Sequence, residues 1–429
     1  MWRIIIFVTF LSFLAMPITV PGQPIPGDPV LDSLISSALN NNPDIQAVME
    51  RVESAKYMIS PAGALPDPMA SIGLSGPLAE SWVGEPMATP NVKLSLSQKF
   101  PFPGKLGASK NAAKNRARGL AESLEAARQR LAAMVRAAYY DLAYWLDAKE
   151  TVERNIDFVS ELEVVARERY KVGQGLQVHV LQAQKSLTRL QDQELMIDQM
   201  IETSRWRLAK LLGNMNPGSL TASLPDVENL PEQDDESLKD RLVKRNPDYK
   251  SSAFTIEMRK DILRKAKLGY LPDITVGAGY GFRRENDMFP MFSRDMLTVT
   301  AGLNIPLWAG WKQKNIISSA KANLRQSEYS RSDLRNRLTF ELEKYLLEYR
   351  RNRSKYTLYG QSLIPQTQAT LESARAAYQV GKLEFLDVII AQMELFNAEL
   401  ELQRSLADAL KALAEIDRLT ADAVAESNN

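Results

Sequence analysis

Tyr378 to Leu386 reads YQVGKLEFL, and Tyr170 to Val178 reads YKVGQGLQV. Both stretches open Tyr-x-Val-Gly, and they stand 208 positions apart, from 170 to 378. Each lies between two long runs of helical periodicity. Glycine is the usual residue where a helix ends in a left-handed turn. Each stretch therefore predicts the tight tip of a helical hairpin. A feature repeated at a fixed offset marks a duplicated unit, so the chain must fold as two copies of one hairpin-bearing repeat.

The rest of each copy supports the same division. Leu31 to Ser60 and Ser237 to Leu268 predict helix, each interrupted by Asn-Pro-Asp at 42–44 and 246–248, because proline disfavours helix in the residue before it. The period then changes from 3.6 to 2. In 69–76 and 91–98 apolar residues alternate with small or polar ones, and the pattern recurs in 273–282 and 296–305. These are strands with one apolar and one small or polar face. Leu-Pro-Asp precedes the strand pair in both copies, at 65–67 and 271–273. Pro101 to Lys105 and Pro306 to Gly310 follow it.

Each strand pair leads into a very long helix. Leu120, Leu124, Ala127, Leu131, Val135, Ala138, Leu142 and Trp145 alternate three- and four-residue steps, the seam of a coiled coil. Its partner runs from Trp311 to Ala377, with breaks expected near Gly360 and Pro365. Some 65 helical residues make a rod of roughly 100 Å. The predicted layout is a first repeat over 23–213, with its hairpin at 106–212 and tip near 170–176. A linker follows at 214–236. The second repeat spans 237–420, with its hairpin at 311–419 and tip near 378–384, and 421–429 is expected to be a disordered tail.

The chain of 429 residues has 53 basic and 52 acidic side chains, one histidine and no cysteine. The charge balance argues against nucleic acid. Disulfides, thiolate metal sites, a cysteine nucleophile and a lipidated N-terminal cysteine are excluded. Sites built on two histidines cannot be assembled within one chain, and no enzyme constellation is legible. Gly277, Gly279 and Gly281 do not form the dinucleotide pattern and sit on a predicted strand rather than opening a helix. No cofactor is expected. Residues 1–22 predict a signal peptide: Arg3, then the apolar run Ile4 to Met16, then a small-residue exit.

Strands of about ten residues have the length of membrane-spanning β-strands. Trp82, Phe289 and Phe292 beyond one end, with Phe100, Phe102, Trp308 and Trp311 at the other, suit interfacial girdles. Four strands cannot close alone, and open edges are not tolerated in lipid. A membrane reading therefore needs several chains sharing one barrel. The alternatives are an exported coiled-coil scaffold or a periplasmic adaptor without a pore, in which the strands form a small soluble sheet.

The duplicated order of short helix, strand pair, long helix, Tyr-x-Val-Gly tip and return helix resembles the TolC-like outer-membrane efflux channels. The resemblance covers about Asp28 to Thr420, and Phe100 to Lys105 is similar to the turn of members serving heavy-metal pumps. It implies a mainly α fold with a membrane β-barrel contribution. A homotrimer would form a shared twelve-stranded barrel in outer-membrane lipid, continued by a periplasmic α-helical tunnel. It also implies a passive duct in a tripartite efflux or type I secretion system, fed by an inner-membrane pump through a periplasmic adaptor. The adaptor would meet the tips at Tyr170, Val172, Gly173, Tyr378, Val380 and Gly381. Gln174 and Lys382 stand where relatives often carry leucine.

The family narrows its tunnel past the tips with acidic side chains, and Asp387 matches the first such position, while Ile390 stands where a second acid is expected. Subtracting 208 from 387 gives 179, so His179 is its counterpart in the first repeat. In a trimer these residues would ring one opening as a pH-sensitive or metal-responsive constriction. The alternative is that Asp387 complements its own helix terminus and His179 is simply exposed.

Overall fold

The computed structural model describes residues 28–75, 91–218, 220–227, 229–283 and 294–422. The signal peptide, Trp82 with its surrounding loop, Phe289, Phe292 and residues 423–429 lie outside them. The chain opens with α1 (Pro29–Asn41), α2 (Pro43–Tyr57) and the short α3 (Ile59–Gly63). Strands β1 (Met69–Ser75) and β2 (Asn91–Phe100) precede α4 (Lys105–Lys171), a helix of 67 residues, and α5 (Gln177–Leu211) returns along it. The second copy runs α6 (Asp235–Arg245), α7 (Pro247–Leu268), β3 (Asp273–Arg283) and β4 (Met296–Asn304). It continues with α8 (Lys314–Leu358), α9 (Ile364–Gln379) and α10 (Phe385–Thr420). π-helical turns at Ala309–Gln313 and Tyr359–Leu363 stand before and after α8.

The four strands form one antiparallel sheet in the order β1-β2-β3-β4. Beneath it the helices follow the same order, α4 lying between α2 and α7, and α7 between α4 and α8. Farther from the sheet, α4 packs on α5 and α10, and α10 packs on α8 and α9. The predicted seam of α4 is buried at Leu131, Val135, Ala138 and Leu142, which join Leu190, Ile197, Leu208 and Phe396 in the main core. A second core joins Leu342, Leu346 and Tyr349 of α8 to Leu410 and Ile416 of α10 and to Leu238 and Leu242 of α6.

The Asn-Pro-Asp breaks do more than interrupt a helix. Asn42 Oδ1 accepts from Asp44 N at 2.9 Å, capping α2, while its Nδ2 donates to Leu211 O at 2.9 Å, the last turn of α5. Asn246 repeats this: its Oδ1 accepts from Tyr249 N at 3.0 Å and its Nδ2 donates to Leu419 O at 3.0 Å. One buried amide thus satisfies an orphan donor of one helix and an orphan acceptor of another. The helix ends it serves are also alike. Gly213 turns left-handed after α5 (φ 71°), and Ala421 does so after α10 (φ 62°). A Cβ on Gly213 would lie 2.5 Å from Asn41 O, so only glycine fits there.

The linker is anchored. Tyr349 and Tyr356 hydroxyls donate to Pro231 O and Val227 O, each at 2.7 Å, and Leu230 is buried. Asp422, which the sequence places in the tail, is held by Arg241 at 2.7 Å and Arg245 at 3.1 Å.

Asn246→Ala strands the Leu419 carbonyl and removes a cap. Unfolding of the purified protein should show a loss of about 1–3 kcal/mol. Ala421→Gly relieves a left-handed alanine and should raise stability by about 1 kcal/mol.

Candidate functional site

Two regions combine exposed apolar surface with built geometry: the sheet and the hairpin tips. On the sheet, Gly277, Gly279 and Gly281 line one face, with Thr300 and serines 71, 95 and 97 from neighbouring strands. The other face exposes Ile72, Leu74, Leu94, Leu96, Val276, Phe282, Leu297 and Val299. Two of these glycines are tightly approached by side chains: a Cβ on Gly277 would meet Thr300 Oγ1 at 2.9 Å, and one on Gly279 would meet Lys93 Cε at 2.9 Å, so a larger residue there would make those side chains shift. Phe100, Leu307, Trp308 and Trp311 are exposed at the helix-proximal rim. Among the described residues no helix is long and apolar enough to cross a membrane.

The stretch Phe100 to Lys105 has a structural role at this rim. Gly104 takes a left-handed conformation (φ 94°) that starts α4. Asp273, at the head of β3, then accepts from Phe102 N at 3.0 Å and Lys105 Nζ at 2.7 Å, with Lys99 Nζ at 3.1 Å. Lys105 also donates to Leu271 O at 2.8 Å. This charged clamp ties the end of the first strand pair to the start of the second. Asp67, the matching residue of the first repeat, is exposed.

Both tips close by the same motif. Gly173 N donates to Tyr170 O at 3.0 Å and Gln174 N to Arg169 O at 2.8 Å. Gly381 N donates to Tyr378 O at 3.1 Å and Lys382 N to Ala377 O at 2.9 Å. The glycines sit at φ 71° and 75°, the left-handed position of a Schellman cap. The apolar residue that usually follows such a glycine and packs back on the helix is replaced by Gln174 and Lys382. Val172 (67 % exposed) and Val380 (68 %) are left pointing outward.

The two tips differ in their tyrosines. Tyr170 is 47 % exposed, whereas Tyr378 is 7 % exposed. Tyr378 lies edge-on to Phe385 (5.7 Å, 67°), with the Arg169 guanidinium 4.5 Å above its ring. Arg169 also donates to Gln379 O at 3.3 Å, so the end of α4 is stitched to the end of α9. His179 stacks on the other side of this cluster, 5.5 Å from the Phe385 ring at 19°. Asp387 forms a capping box with Glu384, accepting from Glu384 N at 3.3 Å. Within one chain, then, Asp387 serves its own helix and His179 serves an aromatic stack. Tyr378 is directed inward, away from any outside partner. Among the described residues no group of three or more His, Asp or Glu side chains is arranged to hold a metal.

A polar layer crosses the helix pair between tips and sheet. Gln392 donates to Asn155 Oδ1 at 2.7 Å and Gln403 to Thr151 Oγ1 at 3.1 Å. Beside it, Arg154 lies 3.8 Å from Glu399. Burial, with Glu150 nearby, pushes the Asp147 carboxyl up to about 6 despite the opposing pull of Arg154. Burial likewise raises Glu399. Sequence reading missed this layer, and also Arg169 and Phe385. The only local signal was a cation in the last turn of α4, where it complements exposed carbonyls.

The sequence matches the outer membrane efflux protein family over residues 34–214 and 238–422. The cobalt-zinc-cadmium resistance protein CzcC of Cupriavidus metallidurans is 22 % identical over 399 residues, covering 92 % of this chain and 90 % of that one. Among solved structures, the outer-membrane channel OprN superposes with a TM-score of 0.80 at 17 % identity, covering 92 % of this chain and 90 % of OprN. The outer membrane protein VceC of Vibrio cholerae gives 0.77 at 20 % identity, covering 91 % and 95 %.

A carboxyl held above its ordinary value stabilises the fold only while protonated. The Asp147 contribution is therefore complete below about pH 4 and disappears as pH rises through about 6. Melting temperatures recorded across this window should fall with rising pH, and Asp147→Asn should flatten the slope.

Proposed function

Since this chain belongs to the outer membrane efflux protein family and forms an efflux channel of the outer membrane, we propose that it is the passive exit duct of a tripartite assembly. In this reading an inner-membrane pump supplies the cargo and a periplasmic adaptor delivers it. Three copies close their sheets into one twelve-stranded barrel, and the helices continue it as a periplasmic tunnel. The observation that carries the reading is the sheet, which has an exposed apolar face, a glycine- and serine-lined opposite face and, among the described strands, two outer ones that pair on one side only. Such a sheet suits lipid only when its edges are closed. The 67 residues of α4 reach roughly 100 Å beyond it, a length suited to crossing a compartment.

The tips are the adaptor-facing end, with Val172 and Val380 as apolar contacts and Gly173 and Gly381 holding them outward. Tyr170 is available for the same contact. A ring of His179 and Asp387 around the tip opening remains a subsidiary proposal, resting on their matched positions in the two repeats. The match to CzcC, together with the Phe100–Lys105 turn, favours divalent metal ions as cargo.

Membrane fractionation and the mass of the detergent-purified protein test the duct directly. An outer-membrane trimer that conducts ions in a planar bilayer is expected, and a soluble periplasmic monomer would overturn the reading. Val172→Asp with Val380→Asp should abolish efflux in cells while leaving trimer mass and conductance unchanged. His179→Asn should alter the pH response of that conductance, and an unchanged response would remove the ring proposal.

A further inference from the structure

Below the sheet, three helices enclose a groove that the chain itself does not fill. α4 lies between α2 and α7, and each helix turns one stripe of side chains toward a common hollow. On α2 the stripe is Arg51, Ser54, Ala55 and Met58, at i, i+3, i+4 and i+7. On α4 it is Ala113, Arg116 and Leu120, and on α7 Met258 and Ile262. The middle helix supplies the floor, and alanines at 112 and 113 keep that floor low between the longer side chains on either side. The result is a half-open cavity of about 370 Å³, within the range of small-molecule pockets, roughly 300–1,000 Å³.

The chemistry of the groove is two-sided. Its walls are apolar, and Met58 is left 58 % exposed on one of them. A methionine thioether is flexible and adapts to an apolar ligand. Arg51 and Arg116 are the charged residues of the lining, and no carboxylate joins them there. Among the described residues neither arginine has an ion-pair or hydrogen-bond partner. The acids beside the groove in sequence are engaged elsewhere: Glu53 holds Lys56 at 3.0 Å, and Asp261 accepts from Asn115 at 2.9 Å. Two free guanidiniums on an apolar hollow complement an anion with an apolar body, because the planar fork of arginine matches a carboxylate.

The geometry points to a binding site for a single-chain anionic amphiphile of fatty-acid type. Its carboxylate lies between Arg51 and Arg116, and its chain runs over Ala113 toward Met258 and Ile262. A phospholipid of the bilayer does not suit the site. Arg116 stands 11 residues beyond Lys105, the start of α4, which is roughly 16 Å along the helix from the sheet. A headgroup held in the membrane falls short of it, and a free amphiphile does not. That exclusion rests on the membrane reading of the sheet given above. The groove and its two unpaired cations do not depend on it.

The test uses the whole protein in phosphatidylcholine nanodiscs, or in plain buffer should it prove soluble, with dodecanoate carrying a photoreactive diazirine. Illumination should label peptides that contain Met58, Ala113 and Ile262. Arg51→Gln with Arg116→Gln should lower that labelling about tenfold, through the loss of charge-assisted hydrogen bonds, with the native mass unchanged. Ala113→Leu fills the floor while keeping both arginines, and it should lower the labelling as well. Excess plain dodecanoate should compete, and dodecyltrimethylammonium should not. Labelling outside the groove, or labelling that survives both variants, would overturn the site. Equal competition by dodecyltrimethylammonium would overturn its preference for an anion. Protection by phosphatidylglycerol vesicles but not by dodecanoate would overturn the free amphiphile in favour of a bilayer lipid. A soluble monomer that still labels in the groove would uphold the site while the shared barrel fails.

Discussion

An amide or carbonyl facing hydrocarbon has no water to bond, and leaving one unpaired costs several kcal/mol. Among the described strands β1 and β4 are the outer two, each paired with a neighbour on one side only. The same sheet exposes an apolar face that favours lipid over water. These two properties conflict in a single chain and are reconciled by closure. The small residues on the opposite face suit the same constraint, since a Cβ on Gly277 or Gly279 would press on the side chains of Thr300 or Lys93 on the neighbouring strands.

Below the sheet the constraint becomes one of length and straightness. α4 runs unbroken for 67 residues because its interior seam is aliphatic and alanine-rich, and α5 and α10 cover it from two sides. The helix ends where backbone groups run out of partners, and each end is treated twice in the same way. Asn42 and Asn246 tie the entry helices to the returning ones, and Gly173 and Gly381 close the tips. Differences between repeats occur where charge or aromatic rings are involved. Asp273 is gripped by Lys99 and Lys105, while the positions matching those lysines hold Asn304 and Gly310. Arg169 braces Tyr378, while its own counterpart is Ala377.

The period of the apolar residues and the paired turn signals made the repeat, strands and tips legible. These are local properties, written within a few residues of where they act. The Asn-Pro-Asp breaks were visible as breaks, but their hydrogen bonds to Leu211 and Leu419 join residues 169 and 173 positions apart and leave no local trace. The Tyr-x-Val-Gly tips looked equivalent because the motif is. Only packing separates an exposed Tyr170 from a Tyr378 enclosed by Arg169 and Phe385. Asp147 was invisible for the same reason, since its raised affinity for a proton comes from burial by neighbours on other turns and helices.

The spacing between the two copies is 205 at Pro101 and Pro306, but 208 at Tyr170 and Tyr378. The second descending rod therefore has three more residues than the first. Yet both tips reach the same level, where Arg169 of one bonds Gln379 of the other. The π-helical turns at 309–313 and 359–363 lie on that rod. A widened turn absorbs an inserted residue without lengthening the helix by a full step. The wider turns take up part of the extra chain in this arm, and its tip stays level with the other although more residues lead to it.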